Sequence, residues 1–437
     1  MTARTIRVAQ NDQRKYFRNL LLHFRPSEVP ERTLKLSLTW GLGGMAVVLV
    51  FLLIGTGLLL KFAYEPSPLG AYASILYLET QIPFGQLLRN LHRWSGNCLI
   101  VISLLHLLRV FYTGAHYRPR QFNWVIGLGL FAVAIFSNFT GYLLPWDQIA
   151  YWAVTISTSM LDYLPGAGPV IKQWILGGTE PGPATLMNFY ALHTAVLPAL
   201  LIFVLPFHFW RIRKANGLVV PRSPEEHADM KVQMVDAMPH LIVRELTTAV
   251  VLIAALLLFS MFVNAPLAEQ ANPGLSPNPT KAPWYFMGLQ ELLMHFHPVF
   301  SVFVIPMTLI AGIIALPYFD TETTPAGIWF RSHRGRKLAL VAVALGFLMT
   351  TASVLLDEFI NTTGQAATPN AINNGLLPFA VILALVGGFY LILKVIFKAN
   401  WTETIQTLFT LLITAFAVLT AIGVWFRGPG MQLMWAG

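Results

Sequence analysis

The chain has 437 residues, of which 11% are charged and 55% are hydrophobic, and its formal net charge is +9. About a quarter of the residues in a soluble domain are charged, so a surface that faces mainly water is excluded and much of this one must face lipid. The basic residues lie mostly in a few loops between apolar segments, which indicates membrane topology rather than nucleic-acid binding. The single cysteine, Cys98, excludes an intrachain disulfide.

Along the chain, the first predicted element is residues 14–25, which mix basic and apolar side chains at helical spacing. This pattern predicts either a helix lying in the cytoplasmic interface or an ordinary basic juxtamembrane segment. Apolar runs follow that match the roughly 20 residues that a helix needs to cross a bilayer. They cover residues 38–62, 87–113, 123–144, 187–212, 244–264, 299–318, 338–356, 376–397 and 403–426. The predicted fold class is therefore an all-α polytopic membrane protein with about nine transmembrane helices.

The loops alternate in charge, because basic residues concentrate after the second, fourth and sixth runs. By the positive-inside rule these loops and the N-terminus are cytoplasmic, and nine spans then place the C-terminus on the outer side. Two outer loops, residues 145–186 and 265–298, are long and rich in proline. Long structured loops on one face are where a site is expected.

Four of the eleven histidines lie inside apolar runs, in two pairs. His92 and His106 are 14 residues apart on the second run, and His193 and His208 are 15 apart on the fourth. Either interval is close to four helical turns, roughly 21–22 Å, so each pair points broadly the same way. Buried imidazoles in lipid are costly without a partner. Matched pairs favour axial ligation of two haem irons over single histidines bonded to backbone carbonyls.

Glycines on the first and third runs repeat this interval: Gly43 and Gly57 are 14 residues apart, as are Gly127 and Gly141. A glycine lets a flat macrocycle approach the helix backbone closely, although small residues also serve helix packing. The pattern predicts an N-terminal four-helix bundle that holds two stacked haems. Haem propionates need cations, and the candidates are Arg89, Arg93, Arg109, Arg211 and Arg213. For Arg211 the alternative is a charge at a helix end that follows membrane topology.

Several motifs resemble the cytochrome b family of quinol-oxidising bc and b6f complexes. They are His92-Arg93-Trp94, His106 with Arg109, GYLLPWDQ at 141–148, FYALHT at 189–194 and Trp284-Tyr285-Phe286. The resemblance covers residues 30 to 356 approximately. The chain looks like a bacterial fusion of cytochrome b6 and subunit IV, followed by two further spans.

The resemblance implies that His92 and His193 hold a low-potential haem near the outer face. His106 and His208 would hold a high-potential haem near the cytoplasm. No covalent haem is expected, because Gly41 stands at the position of the attaching cysteine and the chain has no Cys-x-x-Cys-His motif.

The same resemblance implies a function. Quinol would be oxidised at the outer face, with one electron passing to a Rieske iron–sulfur protein and one crossing both haems to an inner quinone site. A c-type cytochrome with one or several haems would complete a dimeric, multi-subunit complex in the bacterial cytoplasmic membrane. The implied quinol-site residues are Tyr142, Pro145, Trp146, Asp147, Pro283, Trp284, Tyr285 and Glu291.

The expected organisation has four parts. Residues 1–35 form a cytoplasmic or interfacial segment, and residues 36–215 form the di-haem domain. Residues 216–357 resemble subunit IV and include the quinol-site loop, and residues 358–437 add two spans.

One departure from the family concerns the quinol proton. The family carries a Pro-Glu-Trp-Tyr motif whose glutamate is thought to accept it, whereas Pro283 stands at that position here and cannot titrate. Glu291, Asp147 and Tyr142 are the candidate replacements, and an ordinary interfacial carboxylate is the alternative for Glu291.

Two other functions remain open at this point. The missing glutamate is compatible with a di-haem membrane anchor of a dehydrogenase or reductase that does not bifurcate electrons. A proton-relaying transporter would show ionisable residues facing one another at the membrane midplane. The spans are nearly free of charge apart from the histidines and Arg109, which disfavours the transporter.

Overall fold

A computed structural model describes residues 27–221, 232–319, 327–362 and 371–434. The helix predicted at 14–25 lies outside them, as does most of the segment 1–35. Within the described residues, nine helices are long and apolar enough to span a membrane, which confirms the predicted count and fold class. Numbered α1 to α9, they are Leu42–Lys61, Gly85–Tyr112, Gln121–Leu143, Pro183–Lys214, Ala237–Phe262, Phe300–Phe319, His333–Ile360, Ile372–Val395 and Trp401–Phe426.

The helix ends differ most from the prediction where polar residues extend a helix beyond its apolar run. Helix α5 begins at Ala237, seven residues before the predicted 244, and its first turns contain His240 and Arg244. Hydropathy detects the part of a helix that lies in lipid, where backbone groups must bond within their own segment. It does not detect the turns outside the lipid.

Shorter elements connect the spans. The short α-helices are Leu36–Thr39, Ala71–Gln81, Gln148–Ser159, Gly168–Leu176 and Met287–His295. The 3₁₀ turns are Glu31–Leu34, Met160–Tyr163, Trp284–Phe286 and Pro429–Met431. Strands β1 (Glu28–Pro30) and β2 (Met234–Asp236) pair antiparallel, with Val29 opposite Val235. This pair ties the segment before α1 to the segment before α5.

The first four spans share one apolar core, to which α5 adds a side chain. Its buried members are Leu42, Leu49, Val50, Leu91, Leu99, Ile102, Ala134, Leu201 and Leu256. Lipid tails are as apolar as these side chains, so association within the membrane depends on close packing rather than on the hydrophobic effect. The predicted four-helix bundle is thus a packed unit, and the histidine-bearing helices α2 and α4 belong to it.

The last span is built into the second half of the fold rather than added at its edge. Helix α9 packs against α7 and against the short helix Met287–His295. A Cβ on Gly346 of α7 would lie 2.9 Å from the carbonyl oxygen of Leu411, so the two backbones are in close contact. The neighbouring α8 has only 6% of its apolar window buried within the chain, against 22% for α9. Of the two extra spans, α9 is therefore the integrated one.

Candidate functional site

Two pairs of histidines face each other between α2 and α4. The ring centroids of His92 and His193 lie 6.1 Å apart, and their planes are nearly perpendicular at 77°. Further along the same helices, His106 and His208 also lie close enough to interact electrostatically. The structure therefore brings together the pairs that helical spacing indicated. Their role as haem ligands stays a prediction.

A π-helical turn explains why the two spacings differ by one residue. Residues Leu192–Val196 form this turn at the His193 end of α4, and the Leu197 amide bonds back to the Leu192 carbonyl. A π turn holds one residue more than an α turn. The 15-residue interval from His193 to His208 therefore spans about the same rotation as the 14-residue interval on α2. Pro198, which has no amide hydrogen to donate, follows directly and disfavours regular α bonding there.

Glycines of α1 and α3 lie against the first pair of imidazoles. A Cβ built on Gly141 would lie 2.5 Å from Cε1 of His193, and one on Gly57 would lie 3.1 Å from Cε1 of His92. Real Cβ atoms essentially never approach as closely as the first of these distances. Any side chain at Gly141 would therefore displace the imidazole.

The second pair has the same arrangement with more room. A Cβ on Gly43 would lie 3.2 Å from Cε1 of His106, and one on Gly127 would lie 3.7 Å from Cε1 of His208. The competing glycines have no such contact, since no other atom lies within 4 Å of a Cβ on Gly44, Gly55 or Gly129. Each glycine at the 14-residue interval thus faces one histidine, and its neighbours in the sequence do not.

Hydrogen bonds fix the tautomer of the first histidine pair. Nδ1 of His193 lies 2.9 Å from the carbonyl oxygen of Ser137, so it must donate a proton there. Nδ1 of His92 lies 2.9 Å from Oγ1 of Thr56, and the Thr56 hydroxyl donates to the Leu52 carbonyl at 2.7 Å. The hydroxyl oxygen therefore accepts from His92. Both rings keep the Nε2 lone pair for a metal, which is the usual outer-shell arrangement of a metal-binding histidine.

A cavity of about 260 Å³ adjoins the first pair. Its walls include both histidines together with Gly57, Gly141 and Arg93. Three predicted quinol-site residues also line it: Tyr142, Pro145 and Asp147. The predicted haem and quinol residues therefore share one continuous space at this end of the bundle.

Among the predicted propionate-binding arginines, Arg93 lines this cavity and has no ion-pair partner within the part of the chain that the structure describes. The Arg93 guanidinium stacks on the ring of Tyr142, 4.6 Å from its centroid. Arg89 also lines the cavity. However, Arg89 pairs with Glu79 and donates to the carbonyl oxygens of residues 265 and 266 at 3.0 and 2.8 Å.

The other predicted arginines lie at the opposite ends of α2 and α4. Nε of the buried Arg109 donates to the carbonyl oxygen of Leu38 at 2.8 Å. Arg213 is exposed, whereas the neighbouring Arg211 is half-buried with its guanidinium 5.4 Å from the ring centroid of Phe122. The structure therefore favours Arg211 over Arg213 as the inward-facing cation of α4.

The Trp-Tyr-Phe motif from the second half of the chain docks onto the histidine-bearing bundle. Nε1 of Trp284 donates to Oδ1 of Asn97 on α2 at 3.1 Å, and Phe286 packs on Phe139 of α3 at 5.4 Å between centroids. The Tyr285 hydroxyl is buried and has no hydrogen-bond partner among the described residues. Burial raises its pKa above the ordinary value. Tyr285 therefore presents a neutral hydroxyl with a free hydrogen-bonding capacity.

Asp147 has a structural task. Oδ1 accepts from the Ala150 amide at 2.8 Å and so caps the helix Gln148–Ser159. Oδ2 accepts from the Ala268 amide at 3.1 Å, which joins the two long loops 145–186 and 265–298. Trp146 beside it is buried in the apolar cluster of this loop. The geometry thus favours a loop-fixing role for Asp147 over that of a proton acceptor.

Glu291 lies in a buried ion-pair cluster. Nη2 of Arg427 donates to Oε1 of Glu291 at 2.6 Å, and both side chains are 0% exposed. His295 bridges Oε1 of Glu291 at 3.1 Å and Oδ2 of Asp357 at 2.7 Å. Burial disfavours both charges, yet the hydrogen bonds prevail: the pKa of Glu291 is lowered and that of His295 is raised to about 9. Glu291 is therefore an ionised partner of Arg427, and its role as a proton acceptor stays a prediction.

Several residues of the site were absent from the predictions. Thr56 and Thr140 each precede a histidine-facing glycine and contact the histidine itself, at 2.9 Å for His92 and 3.4 Å for His193. The repeated Thr-Gly dipeptide, at 56–57 and 140–141, is the signal that could have identified them. Arg427 carries no such signal, since its partner Glu291 is 136 residues away.

Comparisons with known proteins concern the family and the fold of the chain. The family model "Cytochrome b/b6/petB" matches residues 29–216. Cytochrome b6 of Tupiella akineta is 42% identical over 173 residues, which are 40% of this chain and 80% of that protein. Cytochrome b6 of Chlamydomonas reinhardtii is 41% identical over the same shares. A solved chain of a hyperthermophilic respiratory Complex III superposes with a TM-score of 0.69 at 23% identity, and the match covers 93% of this chain and 99% of that one. The structural match thus extends the similarity in fold to the second half of the chain.

Proposed function

Since this chain belongs to the cytochrome b/b6 family, we propose that it is the di-haem subunit of a quinol-oxidising, electron-bifurcating membrane complex. As a member of this family, the chain is a haem b-binding membrane cytochrome of a quinol oxidoreductase. The number of haems, their ligands, the electron route and the acceptor are the proposal. The observation that carries it is the pairing of four histidines with four facing glycines.

The residues around the histidines suit two haems. An iron between His92 and His193 would require two metal–imidazole bonds of about 2 Å each, and the 6.1 Å between the ring centroids suits that length plus the depth of both rings. Because the four glycines have no Cβ, each imidazole can lie against a helix backbone. His106 and His208 would hold the second haem in the same way. Two bound haems would carry single electrons along the bundle.

The quinol would bind beside the outer pair. Tyr142 and Pro145 line the shared cavity. The motif Pro283-Trp284-Tyr285 is not among the lining residues, but Trp284 contacts α2 and the following Phe286 contacts α3 of the same bundle. The unpartnered hydroxyl of Tyr285 is suited to hydrogen-bond a quinol oxygen. Arg93 would hold negative charge in the cavity, because it lines the cavity and its guanidinium contacts the ring of Tyr142 rather than a carboxylate.

The family implies a multi-subunit complex with Rieske and cytochrome c partners. A dimeric assembly and a multihaem cytochrome are further proposals. The proposed location is the bacterial cytoplasmic membrane, with a cytoplasmic N-terminus and an outer C-terminus. The domain limits 36–215, 216–357 and 358–437 also stay proposals.

Replacing Thr56 by valine should weaken the outer haem site while leaving the inner one unchanged. Valine keeps the shape of threonine but removes the oxygen that accepts from Nδ1 of His92. Loss of such an outer-shell partner typically costs about 10–100-fold in metal affinity. Haem retention during denaturant titration measures the effect. Thr80→Val is the control, because Thr80 is exposed and its hydroxyl bonds only local groups, the Leu76 carbonyl and the Gln81 side-chain amide. An equal loss in both variants would refute the assigned role.

Quinol oxidation by the purified complex tests bifurcation. With the inner haem held reduced and the inner quinone site inhibited, the second electron has no route, so quinol oxidation should stop even though the outer acceptor is oxidised. The absorbance of both haems and of the acceptor follows the electrons. Continued oxidation, with both electrons leaving by one route, would favour the alternative of a membrane anchor without bifurcation. Pro283 in place of the family's glutamate is the observation that keeps this alternative in view.

A further inference from the structure

The short helix Met287–His295, which follows the Trp-Tyr-Phe motif, is interlocked with the last span. A Cβ on Gly288 would lie 2.6 Å from Oγ1 of Thr420 and 2.9 Å from Cε2 of Phe416. From the other side, a Cβ on Gly423 would lie 2.9 Å from Cε of Met287. Neither helix has room for one more methyl group at the crossing, so α9 determines where the short helix lies.

Polar contacts reinforce this crossing at the outer end of α9. Arg427, the residue after the span, binds Glu291 through Nη2 at 2.6 Å and through Nε at 3.1 Å to both carboxylate oxygens. Its Nη1 donates to Oε2 of Glu358 at 3.1 Å. Lys281, just before the motif, donates to the carbonyl oxygen of Val424 at 2.9 Å.

The short helix in turn holds the loop that carries the motif. Oε1 of Gln290 accepts from the Ala282 amide at 2.7 Å. Nε2 of Gln290 donates to the carbonyl oxygen of Thr280 at 2.9 Å. Residues 280–286 therefore lie between α2, where Trp284 contacts Asn97, and the short helix, where Gln290 contacts the loop. The short helix in turn packs against α9.

We propose that α9 holds the quinol-binding motif in position through the short helix Met287–His295, and that Arg427 is a positioning residue for quinol oxidation. This inference rests on the proposed function, since it presumes that Trp284 and Tyr285 contact quinol. It assigns a task to the C-terminal part of the chain, which lies beyond residues 29–216 that the family model matches.

The charge and shape of Arg427 both matter for this role. A buried carboxylate that loses its cation is strongly destabilised, so Glu291 would have to move or take up a proton. Lysine would keep the charge but not the planar fork that contacts both oxygens. A displacement of about 1 Å far from the chemistry can cost as much as 10²-fold in rate.

The test compares Arg427→Met with Arg334→Met in the complete complex. Arg334 of α7 pairs with Glu403 at the opposite end of α9, with Nη2 and Oε2 2.6 Å apart and the Arg334 side chain 48% exposed. It is therefore an arginine–glutamate pair of α9 that lies far from the motif. We expect Arg427→Met to raise the KM for quinol on the order of 10-fold with both haem spectra unchanged. Arg427→Lys should lie between it and the unmodified protein, and Arg334→Met should leave KM unchanged. Amide exchange of residues 278–295 should rise only in the Arg427 variants.

The inference is overturned if Arg427→Met keeps the original KM, or if Arg334→Met raises KM equally. If the complex with Arg427→Met does not assemble, Gly288→Ala replaces it in the test. Its new methyl group would crowd Thr420 without changing any charge. A normal KM in both Gly288→Ala and Arg427→Lys would then refute the proposal that α9 positions the motif. Failure of the unmodified complex to oxidise quinol would instead refute the proposed function, while amide exchange would still report whether α9 supports the loop.

Discussion

Replacing His193 by alanine should halve the haem content of the protein and leave the second haem with its original spectrum. His193 shares its site with His92, 6.1 Å away. The other pair lies about four helical turns, roughly 21 Å, along the same helices. Sites separated by more than about 10 Å with no shared partner usually respond independently. Haem assay of the purified variant and a reduced-minus-oxidised spectrum measure the result.

The reciprocal variant gives the comparison. His208→Ala should remove the other haem and leave the one held by His92 and His193. His240→Ala is the control, because this histidine is exposed at the start of α5 and should keep both haems. Loss of both haems from a correctly folded His193→Ala protein would refute independent pairing, and retention of both would refute His193 as a ligand.

Gly141→Ala should also weaken haem binding between His92 and His193, although it adds only one methyl group. The new Cβ would lie 2.5 Å from Cε1 and 2.9 Å from Nδ1 of His193, so the imidazole must move. It would then lose its 2.9 Å bond to the Ser137 carbonyl. Overpacking of this kind costs about 1–3 kcal/mol, or roughly 5- to 150-fold in haem affinity. Haem retention against an increasing concentration of a haem scavenger measures it.

The four glycines form a graded series for this experiment. Alanine should be tolerated best at Gly127, where the Cβ would lie 3.7 Å from His208, and less well at Gly43 and Gly57, where it would lie 3.2 and 3.1 Å from an imidazole. Gly129→Ala is the control on the same helix as Gly141, because no other atom lies within 4 Å of its Cβ. Equal haem loss at Gly129 and Gly141 would show that glycine serves helix packing instead.

The histidine and glycine positions could be predicted because a membrane span is a regular helix. Its rise and rotation convert an interval in the sequence directly into a position in space, so His92, His106, Gly43 and Gly57 needed no knowledge of tertiary structure. The nine spans followed from the need of lipid-embedded backbone to bond within itself.

Other parts of the site depend on contacts that no local pattern encodes. The only trace of the π turn at Leu192–Val196 in the sequence was that the interval from His193 to His208 is one residue longer than that from His92 to His106. The pairing of Glu291 with Arg427 joins positions 136 residues apart. The prediction treated Glu291 as a candidate base because its sequence neighbours resemble a quinol site, and those neighbours say nothing about a cation brought in by α9.

The distance between Glu291 and Arg427 along the chain also imposes an order on biosynthesis. Ribosomes add about 5–20 residues per second, so Arg427 is made roughly 7–27 s after Glu291, which precedes it by 136 residues. During that interval all four histidines have already been translated and their helices can enter the bilayer, while the Glu291 carboxylate still lacks its cation. The histidine-bearing half of the protein can therefore mature first, and the ion pair of Glu291 forms only after Arg427, at the end of α9, has been made.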